Sequence, residues 1–545
     1  MFVIIYVNIM AEQELLRDDG TEIQIGDRIE SDGYFGTVLY IGSIAGTKGV
    51  WLGVEWDNSN RGKHDGSHQG KRYFQTSQPT SGSFIRPNKV KAGVNCLKAI
   101  ISRYGRTEDE NAGVIIEDLY VLSANKKQTV VEMVGAKKTN EKQSQLDLLQ
   151  EVSLRDMLVY GAGVTPEELL RTMPNIEDLD LSKNLIPSWK AVASITEQLK
   201  NLTILNVSEN KMVLPENPES LSSSFANVRT LIANKMKYSW ENILQCCKIC
   251  PSLEQLHVCF NSIGHLFSSG NQLRQLKLLN LESNRLHSWD ELLKLGSLPF
   301  LEVLIVSNNE LDDIYFPDTS PCEKSKLFPS LKSLIITHNK VSKWKSIDEL
   351  NKLQNLEKLK IMGNPLMDTA NPETVRQLII AKIRNLRRCN GTEVTEERKG
   401  AEIDYLKRYG LDWVKAGGSQ DPQKNRPSQE FTNTHPRYQE LITVWGAPED
   451  SELKQLSTTL KSNLLSVKIY CPLMPDREPV EKKLPASMTV QKLKALIQRL
   501  YKVDSEVQLS YISQKMHGPE IELDSDLRQL SFFALETGDT VHVKW

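Results

Sequence analysis

One spacing of apolar and polar residues recurs through the middle of the chain. An apolar residue is followed by Leu at +3, a second apolar residue at +5, Asn at +8 and a third apolar residue at +10. The clearest copies begin at Ile176, Leu202, Leu253, Leu276, Leu301, Leu331 and Leu356. A period of about 25 residues is typical of a solenoid in which each repeat adds one short strand to a parallel sheet.

Weaker copies extend this array at both sides. A degenerate copy at Val228 lacks the Asn, and a short copy at Leu149 is suited to cap the first repeat. Two apolar-faced helical segments after Leu366, at 372–383 and 395–408, are suited to shield the last one. The pattern resembles the leucine-rich repeat family, and we predict an α/β leucine-rich repeat solenoid with a C-terminal cap over residues 146–410.

Two kinds of polar or aromatic residue in the repeats have a structural explanation. We expect each Asn to bond backbone groups of the turn after its strand, which would otherwise be unpaired inside the solenoid. A Trp follows four of the strands, and we expect these residues to pack between neighbouring repeats rather than to hold a ligand. They are Trp189, Trp240, Trp289 and Trp344.

In such a solenoid the residues on either side of the buried Leu of each strand face the concave surface, where partners bind. These positions are acidic in the first repeat, at Asp178 and Asp180, and basic in the last one, at Lys358 and Lys360. The middle of the face contains apolar residues at about half of these positions, and the candidate partner-binding residues are Ile232, Leu278, Val303, Ile305 and Ile335. An apolar patch with charged ends favours a protein surface over a small molecule.

The stretch from Gly36 to Pro87 has a different pattern, in which glycines separate short runs of Val, Ile and aromatic residues. Glycine at this density predicts tight turns between short strands. Residues 26–92 carry more Lys and Arg than Asp and Glu, so the segment favours an acidic ligand. Its aromatic residues exceed what so small a core can bury, which indicates a binding site.

The motif Gly62-Lys63-His64-Asp65-Gly66 and the residues around it resemble the CAP-Gly domain family. His64 stands where most members of that family have Asn. The resemblance predicts a small all-β barrel over residues 20–92 that binds an acidic C-terminal tail ending in an aromatic residue, as on α-tubulin. It implies tail-binding roles for Lys63, His64, Asp65, Trp51, Trp56 and Phe84. A charged imidazole at His64 would make that binding sensitive to pH.

The last part of the chain predicts a separate α+β domain over residues 461–545. Strand patterns surround a helix that begins after Thr489, and their order resembles the ubiquitin-like (β-grasp) superfamily. The chain ends at Trp545 without a Gly-Gly tail, so we expect this domain to act by non-covalent docking. Residues 93–145 are predicted to be a connector, and residues 411–460, rich in turn-forming residues near 415–427, a linker.

Composition narrows the function further. A net charge of −2 and a pI near 6.6 give no overall attraction to nucleic acid or anionic membrane, and we expect neither as a partner. The eight cysteines are not spaced as in a disulfide framework, which favours reduced thiols in the cytoplasm. Cys246, Cys247 and Cys250, with His257 and Cys259 nearby, are residue types that bind zinc, but they lack the ligand spacing of a zinc finger, so we predict no metal and no cofactor.

Met10 is an alternative to Met1 as the first residue of the protein.

The sequence contains no recognisable catalytic motif and no phosphate-binding loop, so we predict a protein that is not an enzyme. The order of the three domains resembles the tubulin folding cofactors. That resemblance implies a cytoplasmic, cytoskeleton-associated chaperone that binds α-tubulin and other folding cofactors, and that assembles or dismantles the tubulin heterodimer. Two alternatives stay open at this point: a microtubule-end scaffold, and an adaptor that reaches the proteasome or ubiquitin-pathway proteins through the C-terminal domain.

Overall fold

In the computed structural model the chain divides into two compact units, Met1–Ala447 and Pro448–Trp545. The described residues are 15–105, 120–122, 128–130, 144–163, 167–268, 270, 272–449, 453 and 464–545, less 475, 476, 486, 504, 506, 513–519, 524, 534 and 536. The alternative start at Met10, much of the connector 93–145, residues 450–452 and 454–460 of the expected linker, and residues 461–463 of the expected C-terminal domain lie outside them.

The glycine-rich segment forms a small antiparallel sheet with the strand order β1-β2-β3-β6. Its strands are β1 (Arg28–Ser31), β2 (Tyr34–Gly42), β3 (Trp51–Trp56) and β6 (Gly82–Ile85), and the hairpin β4 (Ser67–His68) and β5 (Lys71–Arg72) lies between the last two. The core contains Ile29, Val38, Leu52, Val54 and Trp56. This all-β module is the fold that the sequence predicted.

A short segment joins this module to the repeats. It contains strand β7 (Val94–Asn95), helix α1 (Cys96–Tyr104) and the hairpin of β8 (Tyr120–Leu122) and β9 (Gln128–Val130). Strand β7 pairs in parallel with β11 (Val159–Gly161), which belongs to the first part of the repeat array. The β module and the repeats are therefore hydrogen-bonded to each other within one unit.

The repeats build one continuous sheet. Its parallel strands are β10 (Glu151–Ser153), β12 (Asp178–Asp180), β13 (Ile204–Asn206), β14 (Thr230–Ile232), β15 (Gln255–His257), β16 (Leu278–Asn280), β17 (Val303–Ile305), β18 (Ser333–Ile335), β19 (Lys358–Lys360) and β20 (Arg388–Cys389), followed by antiparallel β21 (Thr392–Glu393). In the full repeats the middle Leu is buried and its two neighbours are more exposed. The solenoid, its capping copy and its degenerate copy are as predicted.

The Asn of each repeat bonds the backbone of two repeats at once. Asn309 is buried, and its Nδ2 donates to the carbonyls of Val306 and Ser307 in its own turn and of Leu281 in the preceding repeat, at 3.0–3.1 Å. Its Oδ1 accepts the amide of Leu286, also in the preceding repeat, at 3.0 Å. One side chain thus satisfies backbone groups that have no partner in a three-residue strand.

Short helices lie on the side of the solenoid away from the sheet. They are α2 (Glu168–Thr172), α3 (Trp189–Thr196), α4 (Trp240–Ile249), α5 (Trp289–Leu293) and α6 (Trp344–Leu350). Four begin at the Trp residues singled out above, and Ser188, Ser239 and Ser288 cap three of them through their side chains. Trp189, Trp240 and Trp289 are buried and Trp344 is half-buried, in agreement with the predicted packing role.

The cysteine cluster lies in this packed interior. Cys246 and Cys247 are on α4 and Cys250 directly follows it, whereas His257 is on β15. Burial raises the pKa of the Cys250 thiol to about 12. Among the described residues, His, Cys, Asp and Glu side chains form no group that could hold a metal ion.

The C-terminal cap is larger than expected. It contains α7 (Pro372–Lys382), α8 (Glu397–Lys415), α9 (Gln429–Thr434) and α10 (Tyr438–Trp445). Residues 429–445 fall within the expected linker 411–460, yet Phe431, Tyr438 and Leu441 are buried against Tyr405 and Trp413 of α8. Their apolar positions are few and separated by polar residues, so only the packing partner on α8 reveals a second helical layer.

The C-terminal unit is a five-stranded sheet with the order β23-β22-β26-β24-β25 and one helix. Its strands are β22 (Leu464–Tyr470), β23 (Val480–Pro485), β24 (Gln508–Ile512), β25 (Ile521–Glu522) and β26 (Thr540–Lys544), and its helix is α11 (Val490–Tyr501). Val490, Leu493 and Ile497 of α11 pack on Val467 and Val541 of the sheet. The predicted β-grasp fold is confirmed.

Within the described ranges, no helix combines the length and the apolar character that a membrane crossing requires.

The Asn ladder can be tested at Asn309. We expect Asn309→Ala to lower the free energy of unfolding by about 2–4 kcal/mol, because buried backbone groups of two repeats lose their partners. Asn308→Gly is the matched control, since Asn308 is exposed at a positive φ of 52° that Gly adopts without strain. Urea unfolding followed by circular dichroism measures both. Equal stability of the two variants would contradict the ladder.

Candidate functional site

The β module contains a cavity of about 380 Å³. Five of the six tail-binding residues predicted from the sequence line it together: Lys63, His64, Trp51, Trp56 and Phe84. The structure adds Ile44, Thr47, Arg61, His68, Ser83 and Ile85. Asp65 does not line the cavity: its carboxylate pairs with Arg72 at 2.7 Å and accepts the amide of Ser67 at 3.1 Å.

Two glycines hold His64 in place. The amide of Gly82 donates to the His64 carbonyl at 2.8 Å, and a Cβ at Gly82 would lie 2.5 Å from that oxygen. Gly66 adopts a φ of +95°, which favours glycine, and its amide donates to Nδ1 of His64 at 3.0 Å. Because Nδ1 accepts this hydrogen bond, the neutral ring carries its proton on Nε2.

The environment keeps His64 uncharged. Burial is the main cause that lowers the pKa of its imidazole, the nearby His68 lowers it further, and Asp65 opposes the shift. A lowered pKa means that the ring is neutral at pH 7 and above. His64 is therefore a neutral donor, like the Asn amide that the resemblance to CAP-Gly domains leads us to expect at this position.

Aromatic rings form the apolar wall of the cavity. Phe84 lies 4.9 Å from the His64 ring, 5.3 Å from Phe74 and 5.5 Å from Tyr73 between centroids. Trp51 donates its Nε1 hydrogen to Thr47 at 2.9 Å, so its orientation is set by a hydrogen bond. This wall suits an apolar or aromatic side chain.

Two buried polar atoms of cavity residues have no hydrogen-bond partner among the described residues. They are Nε1 of Trp56 and Oγ of Ser83. Trp56 is only 2% exposed and also belongs to the core of the module, so it has both a packing role and an unused donor. Buried polar groups normally find a partner, so these two atoms are exceptions within the module.

Two arginines that the sequence reasoning missed make the cavity basic. Arg61 lies 5.0 Å over the Trp56 ring and pairs with Asp32 at 3.0 Å. Arg86 lies 3.8 Å over the Trp51 ring, although it is not itself a lining residue. The available signal was their position in the sequence, since Arg61 directly precedes the Gly62 motif and Arg86 directly precedes Pro87. Together with Lys63 they favour an anionic ligand.

The apolar residues predicted on the repeats share the face of the sheet but divide into two groups. Leu278 is paired in register with Val303, and Ile305 with Ile335, so these four form a continuous half-buried strip across β16–β18. Ile232 lies on β14, and β15 with Gln255 and His257 separates it from the strip. We call the four-residue group the apolar strip.

The two ends of this face carry opposite charge. Asp178 and Asp180 lie on β12, and burial together with Glu151 and Asp180 raises the pKa of Asp178. Lys358 and Lys360 are exposed on β19, and Lys360 is in register with Ile335 of the apolar strip. The face therefore runs from an acidic end, through a middle that contains the apolar strip and polar residues on β15, to a basic end.

A polar junction fixes the β module to the first repeat. Asp19 accepts hydrogen bonds from Thr21, Asn95 and Tyr160, and Arg17 lies 4.1 Å over the Tyr160 ring. Burial alone would raise the pKa of Asp19, but these hydrogen bonds outweigh it and lower the pKa to about 2. A second contact joins Lys211 of the repeats to Asp57 at 3.3 Å.

Comparisons with known proteins agree with these features. Residues 25–90 match the CAP-Gly domain family. Tubulin-specific chaperone E of Xenopus laevis is 47% identical over 522 residues, 95% of this chain and 98% of that protein. The Homo sapiens protein of that name is 44% identical over 538 residues, 97% of this chain and 100% of that protein. The solution structure of the C-terminal ubiquitin-like domain of mouse tubulin-specific chaperone e is 51% identical, with 16% of this chain and 93% of that chain covered and a TM-score of 0.15.

The fold and the cavity define a multidomain protein of the CAP-Gly class, with leucine-rich repeats and a ubiquitin-like domain. The relatives place it more narrowly. The chain belongs to the tubulin-specific chaperone E family. This confirms the resemblance to tubulin folding cofactors that the domain order suggested.

The state of His64 can be tested by NMR titration, with its signals assigned by comparison with His64→Asn. We expect a pKa below the ordinary 6.5, because burial disfavours the charged ring. The ¹⁵N shifts should show a protonated Nε2. Asp65→Asn should lower the pKa further and His68→Gln should raise it. A pKa above 6.5, or a proton on Nδ1, would contradict this description.

Proposed function

We propose that the chain is a tubulin-folding chaperone that holds α-tubulin at two places. The cavity of the β module binds the acidic tail, and the concave face of the repeats binds the body of the subunit. With other tubulin folding cofactors, the protein takes part in assembly and dissociation of the α/β-tubulin heterodimer in the cytoplasm, in association with the cytoskeleton. The shared name of the relatives supports tubulin as the client. The basic aromatic cavity is the observation that supports the contact with the acidic tail.

The chemistry of the cavity suits the end of an acidic peptide with an aromatic last residue. Nε2–H of His64 is a donor for the terminal carboxylate, and Lys63 supplies a positive charge beside it. The wall of Trp51 and Phe84 suits the aromatic side chain. Arg61 and Arg86 extend the positive charge for the acidic residues that precede it.

The concave face suits a larger partner. The apolar strip is half-buried and has Lys360 in register beside Ile335, which resembles a protein interface rather than a small-molecule site. We assign Leu278, Val303, Ile305 and Ile335 to contact with the body of α-tubulin. Ile232 lies apart from the strip and forms a separate contact in this proposal.

The junction between the β module and the repeats supports a two-point grip. Strand β7, the Asp19 network and Asp57 with Lys211 connect the two parts within one compact unit. A tail bound in the cavity keeps the rest of the same subunit at a high effective concentration near the concave face. Weak binding at each place then adds up to firm capture. No catalysis is part of this proposal.

The tail contact can be tested with a fluorescent peptide of the α-tubulin C-terminus in an anisotropy assay. We expect Lys63→Ala to weaken binding about tenfold, since it removes a charge-assisted partner, and Phe84→Ala at least as much. Removal of the terminal aromatic residue from the peptide should have a similar effect. Affinity should be flat between about pH 7 and 8, because a lowered pKa keeps His64 neutral there.

Lys89→Ala is the matched control for the tail assay, because Lys89 is exposed in the same module and does not line the cavity. It should change the affinity less than about twofold. If Lys63→Ala and Lys89→Ala weaken binding equally, the peptide is held by general charge and the assignment of the cavity is wrong.

The body contact can be tested with soluble tubulin and size-exclusion chromatography, which also reports whether the heterodimer stays intact. We expect Ile305→Asp with Ile335→Asp to abolish the complex with tubulin while binding of the tail peptide is retained, because charge is placed in the apolar strip. Val213→Asp is the control, since Val213 is 69% exposed outside the strip. An intact complex with the double variant would overturn the proposed face. Strong co-sedimentation with microtubules and no complex with soluble tubulin would favour the scaffold function.

A further inference from the structure

A second groove lies in the C-terminal unit, between strand β23 and helix α11. Its volume is about 510 Å³. It is lined by Lys482, Lys492, Ala495, Leu496, Arg499 and Leu500. Neither the tail cavity nor the repeat face involves these residues, so the groove is independent of the function proposed above.

One side of this groove is a sheet edge. In the order β23-β22-β26-β24-β25, strand β23 pairs only with β22 among the described strands. In an antiparallel pair, about half of the backbone N–H and C=O groups of the outer strand point away from its partner. Strand β23 therefore offers a row of donors and acceptors to an added strand.

The other side of the groove is one face of α11. Lys492, Ala495, Leu496, Arg499 and Leu500 follow helical spacing, while Leu493 and Ile497 point into the core. Leu496 and Leu500 are half-buried, so their exposed parts form an apolar floor. The helix thus has an apolar surface on the groove side in addition to its core side.

Three cations surround this floor. Lys482, Lys492 and Arg499 are exposed, and none of them forms an ion pair within the described residues, whereas the neighbouring Lys494 pairs with Asp526 at 2.7 Å. Lys482 lies two residues before the buried Leu484, so both point to the helix side of the sheet. The positive charge of these three side chains therefore lies along the walls of the groove.

We propose that this groove binds an extended acidic segment of another protein. The segment adds as a strand to β23, its aliphatic side chains rest on Leu496 and Leu500, and its carboxylates pair with Lys482, Lys492 and Arg499. Backbone pairing supplies affinity and the alternate side chains supply selectivity, as in other cases of strand addition.

The positive charge selects this occupant over two others. A second copy of the chain, paired through β23, would bring Lys482 and Lys483 of both strands together, and such edge lysines oppose self-association. An anionic membrane would satisfy the cations but not the outer backbone groups of β23. An acidic strand matches all three features of the groove.

The test uses the full chain carrying Lys63→Ala, so that the tail cavity does not compete for the probe. The probe is a fluorescein-labelled peptide with three consecutive aliphatic residues followed by four Glu, amidated at its C-terminus. We expect saturable binding by anisotropy that weakens about tenfold with Arg499→Glu or Lys492→Glu and is lost when Gln replaces each Glu of the peptide. Arg499→Gln, a milder change, should weaken binding less.

Lys483→Glu is the matched control, because Lys483 is exposed on the same strand but on the opposite face of the sheet. It should leave the affinity within about twofold. Equal loss with Lys483→Glu, or equal binding of the Gln peptide, would overturn the proposal. Two other results would also overturn it, if the peptide fails to bind. One is flotation with phosphatidylserine vesicles that Arg499→Glu abolishes, and the other is dimerisation in analytical ultracentrifugation that Arg499→Glu abolishes.

Discussion

The buried Asn of each repeat is the interaction on which the solenoid depends. A three-residue strand leaves most of the backbone around it without a partner, and the turns between repeats are packed inside the array. The Asn184 side chain contacts the carbonyls of Leu154 and Leu181 and the amide of Val159, so it joins its own turn to the previous repeat. Repetition of this contact sets the register of the sheet and, with it, which side chains reach the concave face. The degenerate repeat has the buried Met236 where the others have Asn, and Asn261 of the next repeat bonds its amide.

The cap on the last repeat is held together by buried ion pairs as well as by apolar packing. In the cap, Lys382 pairs with Asp348 at 2.8 Å and Arg437 with Glu402 at 3.1 Å, and all four residues are buried. Burial raises the pKa of Asp348 to about 6 although Lys382 opposes the shift. Removing one partner of such a pair would leave an uncompensated buried charge. The cap therefore tolerates change less well than the exposed rim of the repeats.

The two surfaces of the first unit that we propose as binding sites differ in shape and chemistry. The cavity of the β module combines basic side chains with an aromatic wall, which suits a small anionic terminus. The apolar strip lies on the face of the sheet and relies on contact area, with Lys360 in register beside it. The polar junction at Asp19 connects the two, and its low pKa means that the carboxylate remains charged and hydrogen-bonded over the whole physiological range.

The sequence by itself determined the three folds, the repeat register and most of the cavity. Those inferences rest on local periodicity and on a compact motif, both of which are properties of neighbouring residues. Lys63, His64 and Phe84 were found in this way. The four residues of the apolar strip were predicted together with Ile232 as one set, because register in a regular solenoid follows from spacing.

Only the tertiary structure decided which of these residues act together. It placed Asp65 with Arg72 instead of in the cavity, brought Arg61 and Arg86 onto the tryptophans, and separated Ile232 from the apolar strip by β15. It showed that residues 429–445 pack on α8, where a linker was expected. The tautomer of His64 depends on the amide of Gly66, which donates to Nδ1 in the folded loop. Such contacts join side chains to whatever the folded chain brings near them, and no local pattern specifies that neighbour.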